Sequence, residues 1–136
     1  MQNNNPTFSL VIIGFNTEQY LKKLLLSIEK IKYPVESMEV IYIDDGSTDN
    51  SLSFFENFEL KCNTKSFAFK QNTGRVYASD KGIKLATGEW ILNLQSNVVV
   101  DKNILNAYCE SINESVVAVG GIIVYESGDH KFQTYL

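Results

Sequence analysis

The stretch Ile41-Tyr42-Ile43-Asp44-Asp45-Gly46-Ser47-Thr48-Asp49-Asn50 decides the fold. An apolar, β-branched run delivers two adjacent carboxylates and a glycine to the carboxyl end of a strand, and Ser-Thr-Asp then opens a helical pattern. In open α/β sheets that edge is where ligands bind. Turn and cap chemistry accounts for Gly46 through Asp49, with Asp-Gly making the bend and Thr48 or Asp49 serving as helix N-cap. It does not account for two acids side by side, because an adjacent like charge raises the cost of burying a carboxylate. At least one of Asp44 and Asp45 is therefore a candidate ligand group.

Upstream, Phe8 to Gly14 (FSLVIIG) is a near-continuous apolar run, as expected of a strand buried on both faces. Thr17 can cap a helix through about Lys32, whose Leu21, Leu24, Leu25, Ile28 and Ile31 share one face. Tyr33-Pro34 ends it. Met38 to Ile43 is the second strand, Asn50 to about Leu60 a helix, Ser66 to Lys70 a strand and Gly74 to Ala86 a helix closed by Gly88 as C-cap. Trp90 to Leu94 is a fourth strand, Lys102 to Ile112 a helix and Val116 to Tyr125 a fifth strand. The order βαβαβαβαβ predicts an α/β fold: a mostly parallel sheet with helices on both faces.

At 136 residues the chain is one domain's worth, with an irregular start over 1–7 and a domain over 8–136. A net charge of -4 excludes a general nucleic-acid binder, which would show a basic face. Cys62 and Cys109 have neither metal-ligand spacing nor a disulfide framework, so reduced cytoplasmic thiols are the default. No apolar run is long enough for a transmembrane segment.

Four strand ends offer polar groups to the same side. Gly14-Phe15-Asn16 follows the first strand; Phe15 suits stacking on a base or ordinary core, and Asn16 can hold the turn. Asn72-Thr73-Gly74 opens a helix whose exposed N–H groups can face an anion, or is routine loop chemistry. Asp80 either points back into the cleft or is solvated. Gln95-Ser96-Asn97 follows the fourth strand.

Together these residues resemble the nucleotide-sugar-dependent glycosyltransferases of family 2, which have the GT-A fold. The resemblance rests on Val11-Ile12-Ile13-Gly14-Phe15-Asn16, Ile43-Asp44-Asp45-Gly46-Ser47-Thr48-Asp49, Asn72-x-Gly74 with Asp80-x-Gly82-Ile83, and Ala86-Thr87-Gly88-Glu89-Trp90-Ile91. Leu94-Gln95-Ser96-Asn97-Val98 and Val119-Gly120-Gly121-Ile122-Ile123-Val124-Tyr125 resemble the rhamnosyltransferase-like branch. The resemblance implies a nucleotide-diphosphate sugar as donor, with Gly14, Phe15 and Asn16 at the nucleotide and Phe15 on the base. It also implies Asp45 on base or ribose, Asp44 shaping the turn, Gly74 beside the diphosphate, and Asp80 aimed at the donor sugar or ribose. The position of Asn97 implies a ligand for a divalent metal, Mg or Mn. The partner would be a glycan or lipid-linked acceptor, deprotonated by a carboxylate base further along the chain.

The sequence departs from that pattern at three places. Gln95 and Asn97 stand where the metal site needs acids, and hard cations bind through oxygen ligands whose charge tunes affinity. Losing one unit charge at about 4 Å forfeits ~4 kcal/mol at an effective dielectric of ~20, even beside a monovalent partner. Asp101 can substitute only if its loop folds back; a helix-start acid is its simpler role. Ser79 stands where many relatives place an arginine, and the chain stops at Leu136, where they usually continue into an acceptor-binding half. The expected domain is thus a truncated, donor-binding one, with Glu126, Asp129 and His130 read as surface groups and the catalytic base unassigned. The alternative is a non-catalytic binding or assembly module derived from such an enzyme. A phosphoacceptor signalling domain would carry its acidic pocket after the first strand, where this chain has Gly-Phe-Asn. The expected location is cytoplasmic, at most peripheral to a membrane, with apolar surface left bare by truncation favouring a homo-oligomer.

Overall fold

A computed structural model describes residues 5–121, and its layers follow from the apolar patterning of the strands. Four strands, β1 (Phe8–Gly14), β2 (Met38–Asp44), β3 (Asn63–Ala68) and β4 (Trp90–Gln95), form one parallel sheet in the order β3-β2-β1-β4. Helices α1 (Glu18–Glu29), α2 (Ser51–Asn57) and α3 (Arg75–Leu85) make the crossovers, and α4 (Ile104–Ser111) follows β4. Alternate residues of the central strands point to opposite faces. Leu10 and Ile12 of β1 and Val40 and Tyr42 of β2 join α1, α2 and α4 in the larger core, through Leu24, Phe55 and Leu105 among others. Val11, Ile41 and Ile43 face the other way, onto Ala78 of α3. Both faces are covered, so neither central strand shows polar alternation, and FSLVIIG reads as a continuous run.

The amino ends of the strands are tied by one buried acid. Glu39, 5% exposed, accepts hydrogen bonds from Ser9 Oγ (2.6 Å), Thr87 N–H (2.7 Å) and Thr87 Oγ1 (2.9 Å), and pairs with Lys65 Nζ at 2.8 Å. Burial pushes its pKa up, but the lysine, serine and threonine partners outweigh burial and hold it lowered, at about 2. Four segments distant in sequence, β1, β2, β3 and the turn before β4, therefore meet on one carboxylate. Nothing in the sequence pattern marks Glu39 for this role.

Several boundaries differ from expectation. Helix α1 stops at Glu29, not near Lys32. Its last turn tightens through Ile31 N–H to Ile28 O, and Lys32 N–H leaves to meet Lys102 O at 2.7 Å. Strand β3 starts at Asn63 rather than Ser66 and ends at Ala68, because this outer strand is too exposed for its apolar residues to mark more than its end. Gly88 is not a C-cap; Ala86, in extended conformation, follows α3. A Cβ on Gly88 would lie 2.6 Å from Ser9 N and 2.7 Å from the Phe8 carbonyl carbon, so glycine is needed where two backbones touch. The expected fifth strand is not formed over Val116–Gly121: among the described residues this stretch pairs with no strand, and Val117 is 95% exposed. β-branched composition supplies a preference, but a strand also needs a partner edge. The remainder of that segment, like Glu126, Asp129 and His130, lies outside the described residues. Among the described residues no helix is long and apolar enough to cross a membrane.

Candidate functional site

From β1 the chain steps outward to β2 and β3, then returns to lay β4 on the other side of β1. Such a reversal opens a crevice beyond the carboxyl ends of the strands. An open cleft of about 380 Å³ lies there. The turn after β1 and the start of α1 supply Phe15, Asn16 and Tyr20; the loop before α3 supplies Asn72, Gly74 and Arg75. Gln95, Ser96 and Asn97 enter from the end of β4, and Asp45 lies between. Phe15 is 47% exposed, which removes it from the core and leaves its ring free at the cleft.

The two adjacent acids coexist because each is satisfied by different donors. Asp44 accepts the Ser47 N–H at 2.9 Å, closing the turn, and does not line the cleft. Asp45, 3% exposed, accepts Thr73 N–H (2.8 Å), Thr73 Oγ1 (2.7 Å) and Gly74 N–H (3.1 Å). Its own N–H donates to Gly14 O at 2.8 Å. Asp45 thus fixes the loop that forms one wall of the cleft. Gly46, at φ +78°, brings its turn hard against the backbone of Gln71 and Asn72, where a Cβ would collide.

The β1 turn is locked to the same region. Asn16 holds a left-handed φ of 52°, which a short polar side chain tolerates. It donates its N–H to Ser47 Oγ (2.9 Å), while its Oδ1 accepts Thr48 N–H (2.8 Å) and Asp49 N–H (3.3 Å). Asp49 accepts Glu18 N–H (3.2 Å) and Ser51 N–H (3.0 Å), serving the first amides of two helices. Burial raises its pKa, and the bonds from Ser51 and Glu18 pull it below the ordinary value. Neither Thr48 nor Asp49 is the flanking residue of α2; Asn50 is. Thr17 does precede α1, but its hydroxyl meets Tyr42 Oη at 3.2 Å instead of capping the helix.

Gly14 and Asp80 do not line the cleft. A Cβ on Gly14 would strike the Tyr42 hydroxyl and Thr17 Oγ1, so packing requires the glycine. Asp80 is exposed and pairs with Lys84 at 2.6 Å, one helical turn away. Sequence reasoning missed Tyr20 and Arg75. Tyr20 was legible as an aromatic off the apolar face of its helix, and Arg75 as the only arginine in the chain, directly after Asn-Thr-Gly.

The groups at the expected metal position do not fit a divalent cation. Gln95, Ser96 and Asn97 are neutral, and both oxygens of Asp45 are already bonded to the neighbouring loop. Asp101 accepts Asn103 N–H at 2.7 Å, as a helix-start acid, and does not line the cleft. Among the described residues no group of three or more His, Cys, Asp or Glu side chains could hold a metal.

Known proteins are similar to this chain in sequence and fold. GlyG, a glycosyltransferase of Streptococcus pneumoniae, is 30% identical over 131 residues, covering 94% of this chain and 43% of its own. The crystal structure of residues 1–349 of Staphylococcus aureus TarS in complex with UDP-GlcNAc superposes with a TM-score of 0.72 at 30% identity, over 76% of this chain and 30% of that one. A mannosyltransferase from Pyrobaculum calidifontis, solved with GDP-Man and Mn2+, shares the fold at a TM-score of 0.77 and 18% identity, over 84% of this chain and 34% of that one. The chain therefore spans less than half the length of each of these proteins. The sequence profile of "Glycosyl transferase family 2" matches residues 9–135, and the chain belongs to that family.

Proposed function

We propose that the cleft binds a nucleotide-diphosphate sugar and that the chain supplies the donor-binding part of a glycosyl transfer to a glycan or lipid-linked acceptor. The observation that carries this reading is the wall-to-wall chemistry of the cleft. Exposed aromatics Phe15 and Tyr20 stand on one side, and the amide-rich start of α3 on the other. A base stacks on the first and a phosphate group suits the second. GlyG and TarS, by name a glycosyltransferase and a poly(ribitol-phosphate) β-N-acetylglucosaminyltransferase, support the reaction class. Placement in the rhamnosyltransferase-like branch rests on the sequence of Leu94–Val98 and Val119–Tyr125 and is part of the proposal. So is action in the cytoplasm, at most peripherally on a membrane.

The described residues offer no acceptor-activating base, since Asp45, the only carboxylate lining the cleft, is already committed to Thr73 and Gly74. The neutral Gln95 and Asn97 favour a second reading, a donor-binding module without transfer activity of its own. Calorimetric titration with UDP, GDP and UDP-GlcNAc, with uridine as a control, tests the first claim. Binding of a nucleoside diphosphate or its sugar supports the donor site; no binding of any of them refutes it. Mass detection of glycosylated acceptor separates transfer from binding alone.

A further inference from the structure

The charge balance of the cleft is unusual for a site that would hold a diphosphate. Among the described residues its only acid, Asp45, is turned into the adjoining loop, and its only cation is Arg75. Arg75 is also the chain's only arginine; every other strongly basic side chain is a lysine, and none of the described lysines lines the cleft. It opens α3 directly after Gly74, whose φ of 90° turns the chain into the helix beside the cleft. The ion pairs among the described residues are Lys65–Glu39 and Lys84–Asp80, so the Arg75 guanidinium is not spent on a carboxylate of the described residues. Gln95 and Asn97, both amide side chains, line the same cleft.

These features fit one another. Carboxylates at 95 and 97 would repel a diphosphate unless a dication lay between them. Amides carry no charge to neutralise, and their NH2 groups can donate to phosphate oxygens. A guanidinium offers a planar fork that matches phosphate oxygens bidentately and stays charged at every physiological pH. We infer that Arg75, with the amides of Gln95 and Asn97, holds the diphosphate of the nucleotide without a divalent metal. The inference rests on the donor-site reading above and adds to it how the negative charge is balanced in this chain.

The test is calorimetric titration of the whole chain with UDP and GDP, in EDTA and then in Mn2+, for the wild type, Arg75→Gln, Arg75→Lys and Asn97→Asp. Uridine and guanosine, which lack the phosphates, serve as controls. The wild-type Kd should agree within about twofold between EDTA and Mn2+. Arg75→Gln should weaken diphosphate binding about tenfold or more while leaving nucleoside binding unchanged, and Arg75→Lys should fall between, having charge without the fork. Asn97→Asp should weaken binding in EDTA and make it respond to Mn2+. Circular dichroism checks that each variant folds. Tightening of the wild type by Mn2+ of about tenfold, or an Arg75→Gln Kd equal to wild type, overturns the inference and leaves the donor site standing. Failure of every nucleotide to bind overturns the donor-site reading instead.

Discussion

Replacing Glu39 by Gln tests whether the buried carboxylate at the amino ends of the strands stabilises the fold through its charge. The side chain keeps its shape, but one acceptor oxygen becomes a donor facing Ser9, Thr87 or Lys65. In the folded chain the Glu39 pKa is lowered from 4.5 to about 2. At about 1.4 kcal/mol per pKa unit, that corresponds to roughly 3 kcal/mol of stability. The sign follows from the lowered value: the contribution is fully present above the unfolded pKa of 4.5 and is lost as pH falls toward 2. At about pH 3 the same linkage leaves roughly 1.4 kcal/mol. Urea unfolding of wild type and Glu39→Gln at neutral and acid pH reads both quantities. The gap should be roughly 3 kcal/mol at about pH 7 and should shrink by about half at about pH 3. A gap below about 1 kcal/mol at neutral pH, or one that does not change with pH, refutes the reasoning.

Asp45→Asn should lower stability by about 1–3 kcal/mol, because one group facing the Thr73 and Gly74 amides changes from acceptor to donor. It should weaken nucleotide binding in parallel, measured by urea unfolding and calorimetry on the same sample; a change in neither would show that the loop holds its position without the carboxylate. Gly88→Ala should cost at least about 2 kcal/mol, since its methyl group meets the backbone of Phe8 and Ser9, which cannot rotate away. Thermal unfolding checks this, and an unchanged midpoint would contradict the close backbone approach. Phe15→Ala should alter stability by less than about 0.5 kcal/mol, as its ring is half exposed, yet weaken nucleoside diphosphate binding by about 1–3 kcal/mol if the ring stacks on the base.

The parallel sheet was legible because β1 and β2 are apolar at nearly every position, a pattern that only a two-sided core produces. The helices were legible from the Leu21-to-Ile28 stripe and its shorter counterparts. What escaped was whatever depends on partners far away in sequence. β3 is half exposed and so carries little apolar signal. Gly88 looks like any glycine after a helix until β1 is seen against it. At the site, the sequence placed Phe15, Asn16, Asp45, Gly74, Gln95 and Asn97 together, and the cleft contains all six. It could not say that Asp45 would face the loop, because the Thr73 and Gly74 amides are about 28 residues away along the chain. Asp80 falls one turn too far along α3 to reach the cleft and pairs locally instead.

The bonds joining Asn16 and Glu18 to the Ser47–Asn50 segment have a mechanical consequence. Two turns separated by more than thirty positions in the chain share the donors and acceptors that each would otherwise offer to water. They open together or not at all, so the amides of Asn16, Glu18, Thr48 and Ser51 belong to one cooperative unit of local unfolding. That unit also carries the exposed ring of Phe15. A molecule that orders this ring on arrival therefore also steadies the start of α2, which is hydrogen-bonded directly to the turn that carries the ring.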